Sequence, residues 1–202
     1  LWIRMELGMS APMNKLFSRQ RSDIERRIRK NKLSFKMTKD PHAFRDFYHN
    51  MFFPYICSRY TDTATIIPLD VFVKTIPYSE MILITQDEKT IAGASVEFKK
   101  GKPMLRRLGI VDANLEYVRM GAIGAIYYFL AQQLKKRGYR VIDVGGTRPL
   151  LSDGLTRYKL SLGIKLCRDN SKHSSVRLMV LQDTQGTKSF LTQNPFFFKN
   201  KR

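Results

Sequence analysis

Residues 121–146 read GAIGAIYYFLAQQLKKRGYRVIDVGG. From Gly121 to Arg137 the apolar residues recur at helical spacing, which predicts a strongly amphipathic helix, and Gly138 stands where a C-terminal cap is needed. Tyr139-Arg140-Val141-Ile142-Asp143-Val144 then reads as a strand. A long helix delivering the chain into a strand is the signature of a crossover connection between parallel strands.

Working upstream, Met81-Ile82-Leu83-Ile84-Thr85 and Thr90 to Phe98 read as strands joined by a polar turn at Asp87-Glu88-Lys89. A second turn at Lys100-Gly101-Lys102 leads into a strand from Met104 to Val111, which completes an antiparallel meander. Before it, Leu33-Ser34-Phe35-Lys36-Met37-Thr38 alternates as a half-buried strand. Asp40-Pro41 supplies an N-cap and a first-turn Pro for a helix with an aromatic stripe through Phe44, Phe47, Tyr48, Met51, Phe52 and Tyr55. Pro54 interrupts that stripe and predicts a kink that exposes Tyr55. A short helix is expected from Leu69 to Thr75. Downstream, a helix carries Leu155 to Leu162 and a late strand runs from Ser175 to Gln182. The order predicts an α/β (α+β) fold: a mixed sheet, an antiparallel meander followed by a parallel crossover, and helices on both faces.

The length of 202 residues and 43% apolar composition suit one domain with a sizeable core. The expected organisation is an N-terminal extension over 1–17, reading as the end of a preceding domain, a domain over 18–185, and a basic, Phe-rich tail over 186–202. No apolar run reaches the about 18–20 residues of a membrane span. Cys57 and Cys167 read as reduced thiols, too few for a disulfide framework or a zinc site, and no metal is expected. The start lacks an initiator Met and a signal-peptide core, and reads as a trimmed end. A cytoplasmic location is the default.

The formal charge is +19, from 36 Lys+Arg against 17 Asp+Glu. Residues 15–39 hold ten Lys/Arg against Asp23 and Glu25, a net +8. There Ile24 and Ile28 share one face of a helix whose remainder is cationic, which predicts a helix resting lightly on the body. It is either a solvated basic helix or a contact for RNA, an anionic membrane surface or a phosphorylated cofactor. Residues 165–202 hold eight Lys/Arg against Asp169 and Asp183, and end in Phe196-Phe197-Phe198-Lys199. That tail either packs over an apolar patch or meets bases or a membrane surface.

Two clusters carry chemistry. Arg119-Met120-Gly121-Ala122-Ile123-Gly124-Ala125 lies at a predicted strand-to-helix junction, where small residues let backbone amides approach an anion. Two glycines there equally permit close helix packing. Asp143-Val144-Gly145-Gly146-Thr147-Arg148-Pro149 sits where a strand leaves the sheet, the place where ligand crevices open in such folds. His42, His49 and His173 form no triad with Ser or Cys, which disfavours nucleophilic catalysis.

The helix start at Arg119 to Gly124 and the later Tyr158 to Gly163 segment resemble the GNAT acyltransferase superfamily. More closely, Gly138-Tyr139 through Asp143-Val144-Gly145-Gly146, then Tyr158-Lys159 with Leu162-Gly163, is similar to the Fem-type branch of peptidoglycan-bridge aminoacyltransferases and their acetyltransferase-like relatives. The resemblance spans roughly residues 18–170, and the chain departs from the superfamily's phosphate loop in placing Ala122 where a first Gly is favoured. It implies an N-acyltransferase whose donor is acetyl-CoA, a longer acyl-CoA or, as in the Fem-type enzymes, aminoacyl-tRNA. The acceptor is an amine, large or lipid-linked and anionic, with peripheral membrane contact.

On that reading the donor's phosphates lie against Arg119, Gly121, Ala122, Gly124 and Ala125, and the reacting carbonyl lies between the strands at 104–111 and 140–145. Tyr158 is the general acid toward the leaving group, or a packing aromatic. Asp143 and Asp153 are base candidates, or caps of a loop and a helix. Gly145, Gly146, Arg148 and Lys159 hold substrate, with a salt bridge as the competing account of Arg148. The alternative from another class is an RNA- or anionic-membrane-associating module on the same scaffold.

Overall fold

The computed structural model describes residues 2–5, 8–12, 17, 20–61, 66–147, 150–167 and 176–195, of which 2–5, 8–12, 166–167 and 176–178 are described as backbone alone. In chain order the elements are β1 (Trp2–Met5), β2 (Gly8–Pro12), α1 (Arg21–Lys30), β3 (Leu33–Thr38), α2 (Pro41–Phe47), a π-helical turn at Tyr48–Phe52, α3 (Phe53–Tyr60) and α4 (Leu69–Val73). They continue with β4 (Ser79–Gln86), β5 (Lys89–Lys99), β6 (Lys102–Ile110), α5 (Leu115–Arg119), α6 (Ala122–Lys136), β7 (Val141–Gly146), α7 (Gly154–Ser161), β8 (Lys165–Cys167), β9 (Val176–Met179) and α8 (Gln185–Gln193).

Seven strands form one sheet in the order β3-β4-β5-β6-β7-β2-β8. β3 to β6 are antiparallel neighbours, and β6 pairs in parallel with β7 after a crossover through α5 and α6. This is the mixed, GNAT-like arrangement that the resemblance implies. Both hairpins of the meander close on two residues with positive φ, Asp87 and Glu88 in one and Lys100 and Gly101 in the other, the turn geometry that matches strand twist.

The central strands are apolar on both sides because helices cover both faces. On one face α6 buries Ile126, Leu130 and Leu134 against Ile82, Ile84, Ala94 and Val96. Each such side chain contributes about 1.5–3 kcal/mol. On the other face α2, the π turn and α4 bury Phe44, Phe47, Met51, Phe52 and Phe72 against Met81. Gly109 of β6 allows this packing: a Cβ there would stand 2.5 Å from the backbone C of Met51 and N of Phe52. The helix and strand touch backbone to backbone.

Three expectations are corrected. The kink at Pro54 does not expose Tyr55, which is only 4% exposed, because the π turn just before α3 inserts an extra residue and rotates the aromatic stripe inward. Residues 8–12, expected in an N-terminal extension, supply β2, the last strand but one of the sheet, between β7 and β8. The late strand, β9, pairs with β1 in a separate two-stranded sheet. The C-terminal tail begins as α8, and Phe196 to Arg202 lie outside the described residues.

α1 is held more firmly than its charge suggested. Ile24 is buried, Tyr128 on α6 donates to Glu25 Oε1 at 2.7 Å, and Arg27 Nη1 and Asn31 Nδ2 donate to the carbonyls of Arg119 and Met120 at 2.9 and 2.8 Å. Asp23 pairs with Arg26 and Arg27, and Glu25 with Arg21, so part of the segment's positive charge is neutralised within the helix.

Candidate active site

β6 and β7 meet at a single ladder position, Met104 opposite Asp143, and then part. Between them opens a cleft of about 620 Å³, walled by Leu105 to Leu108 on one side and Val144 to Gly146 on the other. The strand end that forms the second wall is shaped by Asp143. Its Oδ1 accepts the Gly145 N–H at 2.7 Å, and Gly145 takes φ +76°, so the chain turns away from β6.

α7 brings the next residues. Asp153 is its N-cap, accepting from the Thr156 N–H at 2.8 Å and from its hydroxyl at 3.0 Å. Lys159, 4% exposed, donates from Nζ to the carbonyls of Val144 at 2.7 Å and Gly146 at 2.9 Å, which ties the helix to the end of β7. Burial pushes its pKa down to about 8, opposed by the charges of Asp143 and Asp153. Tyr158 faces the cleft. Burial pushes its pKa up to about 12, and its ring meets Tyr127 edge-on at 6.2 Å. The helix stops cleanly because Gly163 takes φ +81° and the Ile164 N–H reaches back to the Lys159 carbonyl. The glycine of the Tyr-Lys motif is thus a helix cap.

The floor is the start of α6. Gly121, at φ +102°, and Gly124 line the cleft. A Cβ on Gly124 would lie 3.5 Å from Ile24 and 3.7 Å from the Tyr158 hydroxyl, so the site admits little more than a methyl there. Ala122 and Ala125 point the other way, fully buried in the core, and contribute packing rather than ligand contacts. The junction also differs from expectation: α5 precedes it, so the chain passes from helix to helix. Arg119, at the end of α5, is exposed, pairs with Glu116 and lies outside the cleft lining.

Of the expected site residues, the fold therefore brings together Gly121, Gly124, Gly145, Gly146, Tyr158 and Lys159. Asp143 and Asp153 are committed to a turn and a cap, and neither is part of the lining. Arg148 lies outside the described residues. The cleft also takes residues that the sequence did not single out. α1 supplies Asp23 and Arg27, α3 supplies Tyr55, Arg59 and Tyr60, and β6 supplies Arg106 and Arg107. Arg59 Nη1 donates to the Tyr55 hydroxyl at 2.9 Å, and its guanidinium stands 5.9 Å from both the Tyr55 and Tyr60 ring centres. Arg106 and Arg107 did leave a signal, since two adjacent arginines break the alternation of a strand.

No family model matches the chain, and no curated protein matches it in sequence. Solved structures of similar fold do. L-PGS from Bacillus licheniformis superposes with a TM-score of 0.61 at 10% identity, over 96% of this chain and 66% of that one. FemX does so with a TM-score of 0.62 at 12% identity, over 95% and 64%. A conserved protein of unknown function from Bacteroides thetaiotaomicron follows at 0.54 and 12%, over 80% and 57%. The chain thus spans about two thirds or less of the length of these structures. At such identities the likeness is one of fold. Among the described residues, no group of three or more His, Cys, Asp or Glu is placed to hold a metal, and no helix is long and apolar enough to cross a membrane.

Proposed function

We propose that the chain is an acyltransferase domain that moves an acyl group from a phosphate-bearing activated donor to an amine, by direct attack in a ternary complex. The observation that carries this reading is the cleft of about 620 Å³ between the parting strands β6 and β7, with Tyr158 and Lys159 at its wall.

In the proposed reaction the donor's phosphates rest at the start of α6 beside Gly121 and Gly124, and its carbonyl lies between the strands. The amine nitrogen attacks the carbonyl carbon and forms a tetrahedral oxyanion. β6 carries an extra residue at Arg106, because Ser95 pairs with Arg107 and Val96 with Leu105. Such a bulge takes a backbone group out of the ladder, and here it gives the oxyanion an N–H partner. The Lys159 ammonium, fixed by two carbonyls, supplies positive charge nearby. On collapse the bond to the leaving group breaks, and Tyr158 protonates that group as the amine gives up its own proton. With Asp143 and Asp153 engaged elsewhere, the amine's proton passes to water or returns to the Tyr158 phenolate, which restores the acid.

A second observation bears on the donor. A phenol held near 12 is a poor proton source for a thiolate, whose acid is ordinarily about 8.5, and a well-matched one for a sugar hydroxylate, a far stronger base. Lys30, Lys32 and Lys36 are exposed and pair with no carboxylate among the described residues, which leaves a cationic strip along the end of α1 and on β3. Both features favour an aminoacyl-tRNA ester over an acyl-CoA, in line with the Fem-type resemblance of residues 138–163 and with the FemX fold.

The test is a melting experiment with acetyl-CoA, longer acyl-CoAs and charged tRNA. At about one hundred times its Kd a true donor stabilises by about 2.7 kcal/mol, or several degrees for a chain of this size. Gly124→Leu, which fills the cleft floor, removes the shift. If none of the donors raises Tm and no product forms with a panel of amines, the reading is wrong.

A further inference from the structure

Glu97 on β5 is 2% exposed, and three cations share it. Arg107 Nη1 donates to Oε1 at 2.8 Å, Lys99 Nζ stands 3.2 Å from Oε2, and Arg106 Nε stands 3.6 Å from the same oxygen. Arg106 and Arg107 reach one carboxylate because Arg106 is the bulged residue; in a regular strand neighbouring side chains point to opposite faces. Burial alone would raise the Glu97 carboxyl, but hydrogen bonds from Arg107 and Lys99 outweigh it and hold the group below the usual carboxylate range.

One carboxylate cannot balance three cations, so two positive charges remain around it. Lys99 is half exposed and sits 4.7 Å above the Tyr78 ring, where water serves it. The arginines are different. Their side chains are 26% and 15% exposed, and both line the cleft. Arg107 also lies 5.4 Å over the Phe72 ring, and among the described residues Arg106, beyond Glu97, meets the Met104 sulfur at 3.7 Å. Among the described lining residues the single acidic one, Asp23, is paired with Arg26 and Arg27 on α1. The β6 wall therefore presents surplus, half-desolvated guanidinium charge to an open cavity, an arrangement completed by an anion.

We propose that Arg106 and Arg107, held side by side by Glu97, form an anion station that takes a phosphate group. Guanidinium forks match phosphate oxygens, and the bulge fixes two forks next to each other at a cleft wall. The station belongs to β6, on a different element from the start of α6 that lines the same cleft. The station itself does not depend on the transferase proposal, but its assignment does: on that reading it receives the phosphate of the acceptor, since the donor's phosphates lie at the α6 end.

The experiment titrates inorganic phosphate into the full chain at low salt, followed by calorimetry. In parallel, sedimentation measures binding to vesicles of phosphatidylcholine with and without an anionic phospholipid, which separates a free phosphate from a lipid headgroup as the source. Arg106→Met lowers phosphate affinity about tenfold or more, the scale of a lost charge-assisted contact. Arg107→Lys, which keeps the charge on Glu97, lowers it by less. Lys135→Met, a cation on the far end of α6, leaves it unchanged. Melting curves confirm that each variant is folded. Phosphate binding that survives Arg106→Met, or that Lys135→Met weakens equally, overturns the station and assigns the affinity to diffuse charge. If phosphate binds through Arg106 but no donor supports transfer, the transferase reading falls and the station stands. If transfer occurs and Arg106→Met changes neither phosphate affinity nor the acceptor KM, the station falls alone.

Discussion

Tyr158 and Lys159 are neighbours in sequence with opposite surroundings, and that contrast organises the site. Tyr158 opens to the cleft, whereas Lys159 threads back to two carbonyls of β7. Tyr158→Phe keeps the ring and removes the proton donor. It should lower kcat at least about a hundredfold, the usual reach of general acid catalysis, with donor affinity unchanged by titration. An unaltered kcat would leave Tyr158 as a packing aromatic. Lys159 gives a pH prediction. Its folded pKa is about 8 against an ordinary 10.5, so between those values the unfolded chain holds more protons and stability rises with pH; below about 8 the penalty is fully present. Urea unfolding of the protein minus that of Lys159→Met should show this rise from pH 8 to 10, and a flat difference would contradict it. The motif at 138–163 made both residues legible. At Asp143 and Asp153 the sequence leaves base and cap open, and both carboxylates cap, because aspartates before a glycine turn or a helix serve the backbone as readily as they serve chemistry. Ala122 and Ala125 were misplaced because helical periodicity turns those positions into the core, while Gly121 and Gly124 line the cleft.

The elements most exposed to a single change are the long α2–α3 helix and the strand beneath it. A methyl at Gly109 would meet the backbone of Met51 and Phe52 at 2.5 Å, and neither atom belongs to a side chain that can swing aside. Gly109→Ala should therefore cost about 1–3 kcal/mol, the range of overpacked cores, in urea unfolding, and a loss under 0.5 kcal/mol, the scale of a neutral surface change, would show that the contact relaxes freely. Local pattern made most elements readable: the meander from its alternation and turns, α2 from Asp40-Pro41, α6 from its stripe and Gly138. Pairings between distant segments were not readable. Nothing local tells Gly8–Pro12 to enter the sheet beside β7, or Val176–Met179 to leave it for β1. The same limit hid Asp23, Arg27, Tyr55 and Arg59, which reach the cleft from α1 and α3 only once the chain has folded.

At the scale of the molecule the +19 charge resolves into parts with different fates. Asp23 and Glu25 occupy three arginines of α1, and Glu97 gathers two more with Lys99. Arg27, Arg59, Arg106, Arg107 and Lys159 line the cleft, while Lys30, Lys32 and Lys36 are exposed at the end of α1 and on β3. This distribution suits a transfer site for phosphate-bearing substrates better than a uniform polyanion coat, which needs no cleft. The two accounts differ in what salt and mutation do: a coat loses affinity steeply with salt whatever happens to Tyr158 or Gly124, whereas a transfer site loses its product. The most direct test incubates the full chain with an aminoacyl-tRNA or an acyl-CoA and a panel of amines, and follows the acylated amine by mass spectrometry. The acyltransferase account predicts product that depends on the chain, that forms faster from the ester than from the thioester, and that falls with Tyr158→Phe and Gly124→Leu. Absence of product from every donor, with a chain that melts as a folded protein, would contradict it.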